Sequence, residues 1–185
     1  LSGMKSAFSV LLLCFVLASC GEEKALGTTK KTEAILDSSK LVMACSAFFE
    51  EYQVLPMAST SAIDAEQVTD NDFMAPLLGL DSGKDDNPKL FCFFDYLKTL
   101  REINNSAVDR LVRTETTASL VDPWGNFYRV LCDYDGDYTI REPQATGRSG
   151  LIQGRRVLVY SLGPDGIAGG EGEKDNIYSW NVSRE

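Results

Sequence analysis

Two hydrophobic rhythms divide this chain, and their order limits what it can fold into. Between Thr32 and Gln53 apolar and small residues recur every three or four positions. Ile35, Ser38, Val42, Cys45, Phe49 and Tyr52 share one stripe, flanked by Leu41 and Phe48. That spacing describes an amphipathic α-helix. Lys31, Glu33, Asp37, Lys40 and Glu51 fall mostly off the stripe. The helix should stop near Gln53, because Pro56 disfavours helix at Leu55. From Asp122 onward the rhythm shortens to two. Tyr128, Val130 and Cys132 alternate with Arg129, Leu131 and Asp133. Asp135-Gly136 marks a turn, and Tyr138 to Arg141 is expected to return as the partner strand. Arg156 to Ser161 reads as a third strand, and Ile177 to Trp180 closes the domain. A helix followed by an antiparallel meander gives an α+β fold, with the N-terminal amphipathic helix packed on the sheet. Between the two regions, 58–70 reads as a polar segment and Asn71 to Leu78 as a short helix ended by Gly79. Residues 81–88 and 144–154 read as loops. Leu90 to Leu100 fits either strand or helix, and its aromatic content assigns it to the core.

The N-terminus reads as an export signal. Lys5 supplies a positive charge, and Ala7 to Ser19 carries none. An apolar run of that length matches a signal-peptide core and falls short of the roughly 20 residues of a spanning helix. It ends in Leu17-Ala18-Ser19-Cys20, which resembles the lipobox of bacterial lipoproteins. The resemblance implies removal of residues 1–19 and lipid on Cys20, anchoring the chain to a bacterial membrane by about 0.8 kcal/mol per buried methylene. Residues 20–31 are polar and read as a tether, with the folded domain over 32–185.

The formal net charge is −9, and no basic residues are concentrated enough to suggest a nucleic-acid partner. There is no histidine, which removes serine triads, cysteine–histidine dyads and most zinc enzymes. With Cys14 in the signal and Cys20 lipidated, Cys45, Cys92 and Cys132 remain. One disulfide with one thiol, or three buried thiols, both fit that odd number. Cys45 and Cys132 are both expected to face the core.

Two C-terminal stretches carry the chemistry. In Asp122-Pro123-Trp124-Gly125-Asn126, Pro fixes a turn, Gly allows a positive φ and Trp offers an apolar anchor. The second stretch runs Ser161-Leu162-Gly163-Pro164-Asp165-Gly166, then Gly169-Gly170-Glu171-Gly172, then Asp175-Asn176-Ile177-Tyr178-Ser179-Trp180. Calcium takes six to eight hard oxygens. A Gly-rich loop lets carbonyls turn inward, while Asp165, Asp175 and Asn176 offer side-chain oxygens. Together the two stretches resemble the C-terminal domain of the major pseudopilin of type II secretion. Phe49 to Pro56 is similar to that family's end-of-helix segment. The resemblance implies a pilin-like globular head and a Ca2+ site. In that site Leu162 and Ile167 give backbone carbonyls, Asp165 and Asp175 carboxylates, and Asn176 an amide oxygen where the family has Asp. The chain departs from the family at its start, where a lipobox stands in place of a prepilin cleavage site and its long apolar helix. A second acidic cluster, Asp133-Tyr134-Asp135-Gly136-Asp137, lacks the glycine and glutamate positions of an EF-hand and reads as a hairpin turn.

These features point to a non-enzymatic, lipid-anchored envelope protein with a structural or interaction role. Secretion or pilus-like assembly proteins are the partners that the resemblance implies. The alternative is a ligand-binding lipoprotein that reuses the fold. A deep polar cleft would favour the alternative, and a convex head would favour assembly.

Overall fold

The computed structural model describes residues 3–57, 64–94, 110–142, 150–169 and 174–180, with residues 3–26 described as helical backbone only. The helix α1 spans Gly3–Tyr52. It therefore begins well before Thr32 and runs through 20–31, where a tether is expected. Glu22 to Leu26 and Lys30-Lys31 are good helix formers, and they outweigh Gly21, Gly27, Thr28 and Thr29. The C-terminal end agrees with expectation: the helix closes at Tyr52, and Gln53 turns to a φ of 58°.

Eight short strands follow: β1 (Ala65–Val68), β2 (Leu111–Arg113), β3 (Ala118–Leu120), β4 (Arg129–Cys132), β5 (Thr139–Arg141), β6 (Leu151–Gln153), β7 (Val157–Ser161) and β8 (Ile177–Tyr178). The main sheet has the order β1-β4-β7-β8, antiparallel throughout, while β2–β3 and β5–β6 form separate pairs. The fold is thus α+β. The meander differs from the expected one. β4 pairs with β1 and β7, and β5 turns away to pair with β6. Asp133 explains the departure. Its carboxylate accepts the N–H groups of Gly136 (2.8 Å) and Tyr138 (3.0 Å), so the chain curls off the sheet instead of folding back along β4. β1 and β6 arise in segments expected to be irregular. Neither AEQV nor LIQ is long enough to show a period of its own.

The sheet's two faces bury different side chains. Val130 and Cys132 of β4, with Val157 and Val159 of β7, face α1 and join Ala34, Leu41, Ala44, Cys45 and Phe48 in the main core. Leu131, Leu158 and Tyr160 point to the opposite face and join Ile140, Leu162 and Tyr178 in a second cluster. Strand alternation sorts these residues. The buried face of α1 sits about one position off the expected stripe. Leu41 and Phe48 are fully buried, whereas Ile35, Val42 and Phe49 are half-buried.

Asp37 is the largest correction on the helix. Expected off the stripe, it is 1% exposed. Arg110 lies 3.1 Å from its Oδ2, and the Tyr128 hydroxyl donates to the same oxygen at 3.2 Å. Arg110 also pairs with Glu33 at 2.6 Å. Burial pushes the Asp37 carboxyl above its ordinary range, against the pull of Arg110 and Lys40. Such a pair adds little over an apolar substitute, yet removing one partner alone costs about 3–5 kcal/mol. It fixes how α1 seats on the sheet.

The short helix α2 (Asn71–Leu78) agrees with expectation and ends at Gly79 (φ 66°); the Asp70 side chain caps its N-terminus. A Cβ on Gly79 would stand 2.3 Å from the Leu90 carbonyl, so glycine is required there by space as well as by φ. After α2, Asn87 is fully buried and organises an irregular segment. Its Nδ2 donates to the carbonyls of Pro76 and Phe91, and its Oδ1 accepts from the Tyr52 hydroxyl at 2.5 Å. The segment 90–94 is neither strand nor helix. Phe93 and Phe94 enter the core as the aromatic content implies, whereas Leu90 (40%) and Phe91 (47%) are exposed. Residues 95–100 lie outside the described residues.

Cys45 and Cys132 are buried in the main core and Cys92 is exposed, all three as thiols. Burial raises the Cys132 thiol to about 12. Among the described residues no helix is long and apolar enough to cross a membrane.

Candidate metal centre

The two C-terminal stretches, separated by about forty residues, meet at the end of β7. Asp122 is 1% exposed and holds the turn that precedes β4. Its Oδ1 accepts the N–H groups of Trp124 and Asn126, each at 2.9 Å. Its Oδ2 accepts the Ser161 hydroxyl at 2.6 Å, and Ser161 Oγ in turn accepts the N–H of Gly163 at 3.0 Å. Asn126 then reaches across, donating from Nδ2 to the Gly163 carbonyl at 2.8 Å. Pro123, Trp124 and Gly125 are the residues that the sequence pattern singles out, but Asp122, Asn126 and Ser161 make the bonds that join the two stretches. The available signal was their type: Asp, Asn and Ser at turn positions bond nearby backbone N–H groups.

The loop itself leaves β7 at Leu162, which is buried. Gly163 takes φ 68°, and a Cβ there would stand 2.5 Å from the Asp175 carbonyl. The two ends of the loop are therefore in backbone contact. A second stitch comes from Asn176, whose Nδ2 donates to the Ala168 carbonyl at 3.0 Å. Asp165 and Ile167 share the exposed turn between, where Asp165 Oδ1 accepts the Ile167 N–H at 2.9 Å. Gly163 thus meets Asp175 and Ala168 meets Asn176, while Asp165 bonds within its own turn. Residues 170–173 lie outside the described residues. So does the side chain of Cys20, the expected lipid site.

Two oxygens decide whether this loop suits a hard cation. Asp175 Oδ1 and Asn176 Oδ1 are both shielded from solvent and have no hydrogen-bond partner among the described residues. A buried polar oxygen without a partner is costly, at about 1–3 kcal/mol or more when charged. Both are hard oxygens of the kind calcium prefers. The loop therefore offers two oxygens of the kind that a calcium ion takes.

The hairpin cluster contrasts with this. Asp64, Asp133 and Asp135 place carboxylate oxygens within 4.8 Å of one another. Asp133 is only 2% exposed, so the turn is less solvated than expected. Yet its oxygens are occupied by Gly136 and Tyr138, while Asp135 caps Asp137 and Asp137 caps Thr139. These bonds make it a backbone turn. Burial, above all, holds the Asp64 and Asp133 carboxyls above their ordinary values.

In comparisons with known proteins, the chain matches no family model, and no characterised protein or solved structure matches it closely enough to assign a relationship.

Proposed function

We propose that this protein is a non-enzymatic, lipid-anchored envelope protein. Its head is pseudopilin-like and stabilised by calcium, and it serves a structural or interaction role, as an accessory to a secretion or pilus-like assembly. The observation that carries the reading is the pair of shielded, unpartnered oxygens on Asp175 and Asn176, in a loop closed by Gly163–Asp175 contact. The Leu162 and Ile167 carbonyls, the Asp165 and Asp175 carboxylates and the Asn176 amide oxygen would hold the ion. Bound calcium would supply countercharge and crosslink the loop. Asp122, Ser161 and Asn126 tie that loop to the turn before β4, so order in the loop is passed to the sheet. A long helix seated on an antiparallel sheet supports the pilin-like part of the reading. The lipid anchor rests on Cys20 and the apolar run before it.

Calorimetric titration of calcium into the full chain tests the site. One saturable site is expected, abolished by Asp175→Ala and weakened by Asn176→Ala. Heat of binding that survives Asp175→Ala and disappears with Asp135→Ala would move the site to the hairpin and end this reading.

A further inference from the structure

We propose that the outward face of α1 pairs, antiparallel and across a twofold axis, with the same face of a second copy of this chain. The inward face seats Ala34, Leu41, Ala44, Cys45 and Phe48 on the sheet. On the outward face Thr29, Thr32, Leu36, Ser39, Met43 and Ser46 are all exposed, at alternating intervals of three and four. That is the spacing of a helix–helix seam. Its two large apolar side chains stand well out of the surface, Leu36 at 44% and Met43 at 70% exposed. The three hydroxyls between them turn back on their own helix. Thr32 donates to the Thr28 carbonyl at 3.0 Å, Ser39 to that of Ile35 at 2.9 Å and Ser46 to that of Val42 at 2.8 Å. They can lose water against a neighbour without leaving a donor unpaired.

Charge decides the occupant and its direction. From Thr32 to Ala47, roughly 20 Å of helix, no exposed residue of α1 is charged. The formal net charge of the chain is −9, so two copies repel over most of their surfaces and least along this strip. Exposed Lys31 bounds the strip at one end and exposed Glu50 at the other, and neither is in an ion pair among the described residues. A face that is positive at one end and negative at the other is complementary to itself when reversed. With Leu36 of one copy opposite Met43 of the next, Ser39 lies beside the twofold axis, where its small side chain admits close approach. Lys31 then stands about 3 Å along the helix from the opposing Glu50, within the reach of its side chain. A parallel pair would instead set Glu50 against Glu50 and Lys31 against Lys31. Lys40 flanks the seam but turns to Asp37 of its own helix, at 3.8 Å.

A seam of about four turns is small beside standard interfaces of about 1,200–2,000 Å2, so the pair is a weak one. Sedimentation velocity of the full chain over a concentration series reads it, and a monomer–dimer equilibrium is expected. Met43→Lys should weaken the dimer at least tenfold. Lys31→Glu and Glu50→Lys should each weaken it at least threefold, and the two together should restore it to within twofold of the parent. All three positions are exposed, and circular dichroism of each variant should match the parent; if Met43→Lys fails to fold, the charge exchange decides alone. A parent that stays monomeric would leave this face to some other partner and overturn the proposal. A dimer indifferent to Met43→Lys would place the contact elsewhere, and single exchanges without effect would mean a parallel pair. Either result overturns it, as does a double exchange that restores nothing.

Discussion

The hairpin at 133–137 and the loop at 162–176 look alike in sequence, both acidic and both containing glycine, but their oxygens are used differently. In the hairpin each aspartate accepts a backbone N–H two to five residues on, and the turn is complete without any further group. The loop has more glycine, and it buries two oxygens with nothing to accept among the described residues. Density of carboxylates is therefore a poor guide to a cation site. Unused lone pairs held in place by a closed backbone are a better one.

The two glycines separate the regions most sharply. Gly163→Ala adds a positive-φ penalty and a Cβ 2.5 Å from the Asp175 carbonyl. Strain of about 1–2 kcal/mol and overpacking of about 1–3 combine to roughly 3 kcal/mol or more. Urea unfolding should show that loss, and calcium binding should fall with it. Asp133→Ala comes next. It leaves two N–H donors without an acceptor and should cost about 2 kcal/mol, equally with calcium or with chelator. A loss seen only in calcium would dissolve the distinction between the regions.

Gly136→Ala should cost only about 1 kcal/mol. Its φ is 76°, but nothing stands within 4 Å of the added Cβ. The smallest expected effect is on pH dependence. Asp64 and Asp133 have folded-state pKa values above their unfolded ones, so folding takes up protons. Their contribution is complete below about pH 4 and is lost as pH rises through the raised folded values. Asp64→Asn should flatten that part of the slope and raise the urea midpoint near pH 7. A midpoint that drops instead would mean that Asp64 is stabilised as an anion.

What the sequence disclosed follows from the range of the forces involved. The α1 end at Tyr52, α2 with its glycine cap, and the alternation of Tyr128, Val130 and Cys132 all depend on neighbours within a few residues, and all are present. The burial of Asp37 was not legible, because Arg110 lies more than seventy residues away and only the fold brings them together. The expected pairing of β4 with β5 failed because a local carboxylate turn at Asp133 overrode strand pattern. At the candidate site, the oxygen-bearing residues of the loop could be read from the sequence. Its link to Asp122 and Asn126 could not, since those side chains act across forty residues of chain.

The central claim is that calcium completes the loop at 162–176, and thermal unfolding of the full chain in calcium and in chelator tests it most directly. An ion that binds only the folded loop stabilises by RT ln(1 + [L]/Kd), about 2.7 kcal/mol at a hundredfold excess over Kd. The parent should melt higher in calcium by several degrees, and Asp175→Ala should melt alike in both conditions. Identical melting of the parent in calcium and in chelator would contradict the account.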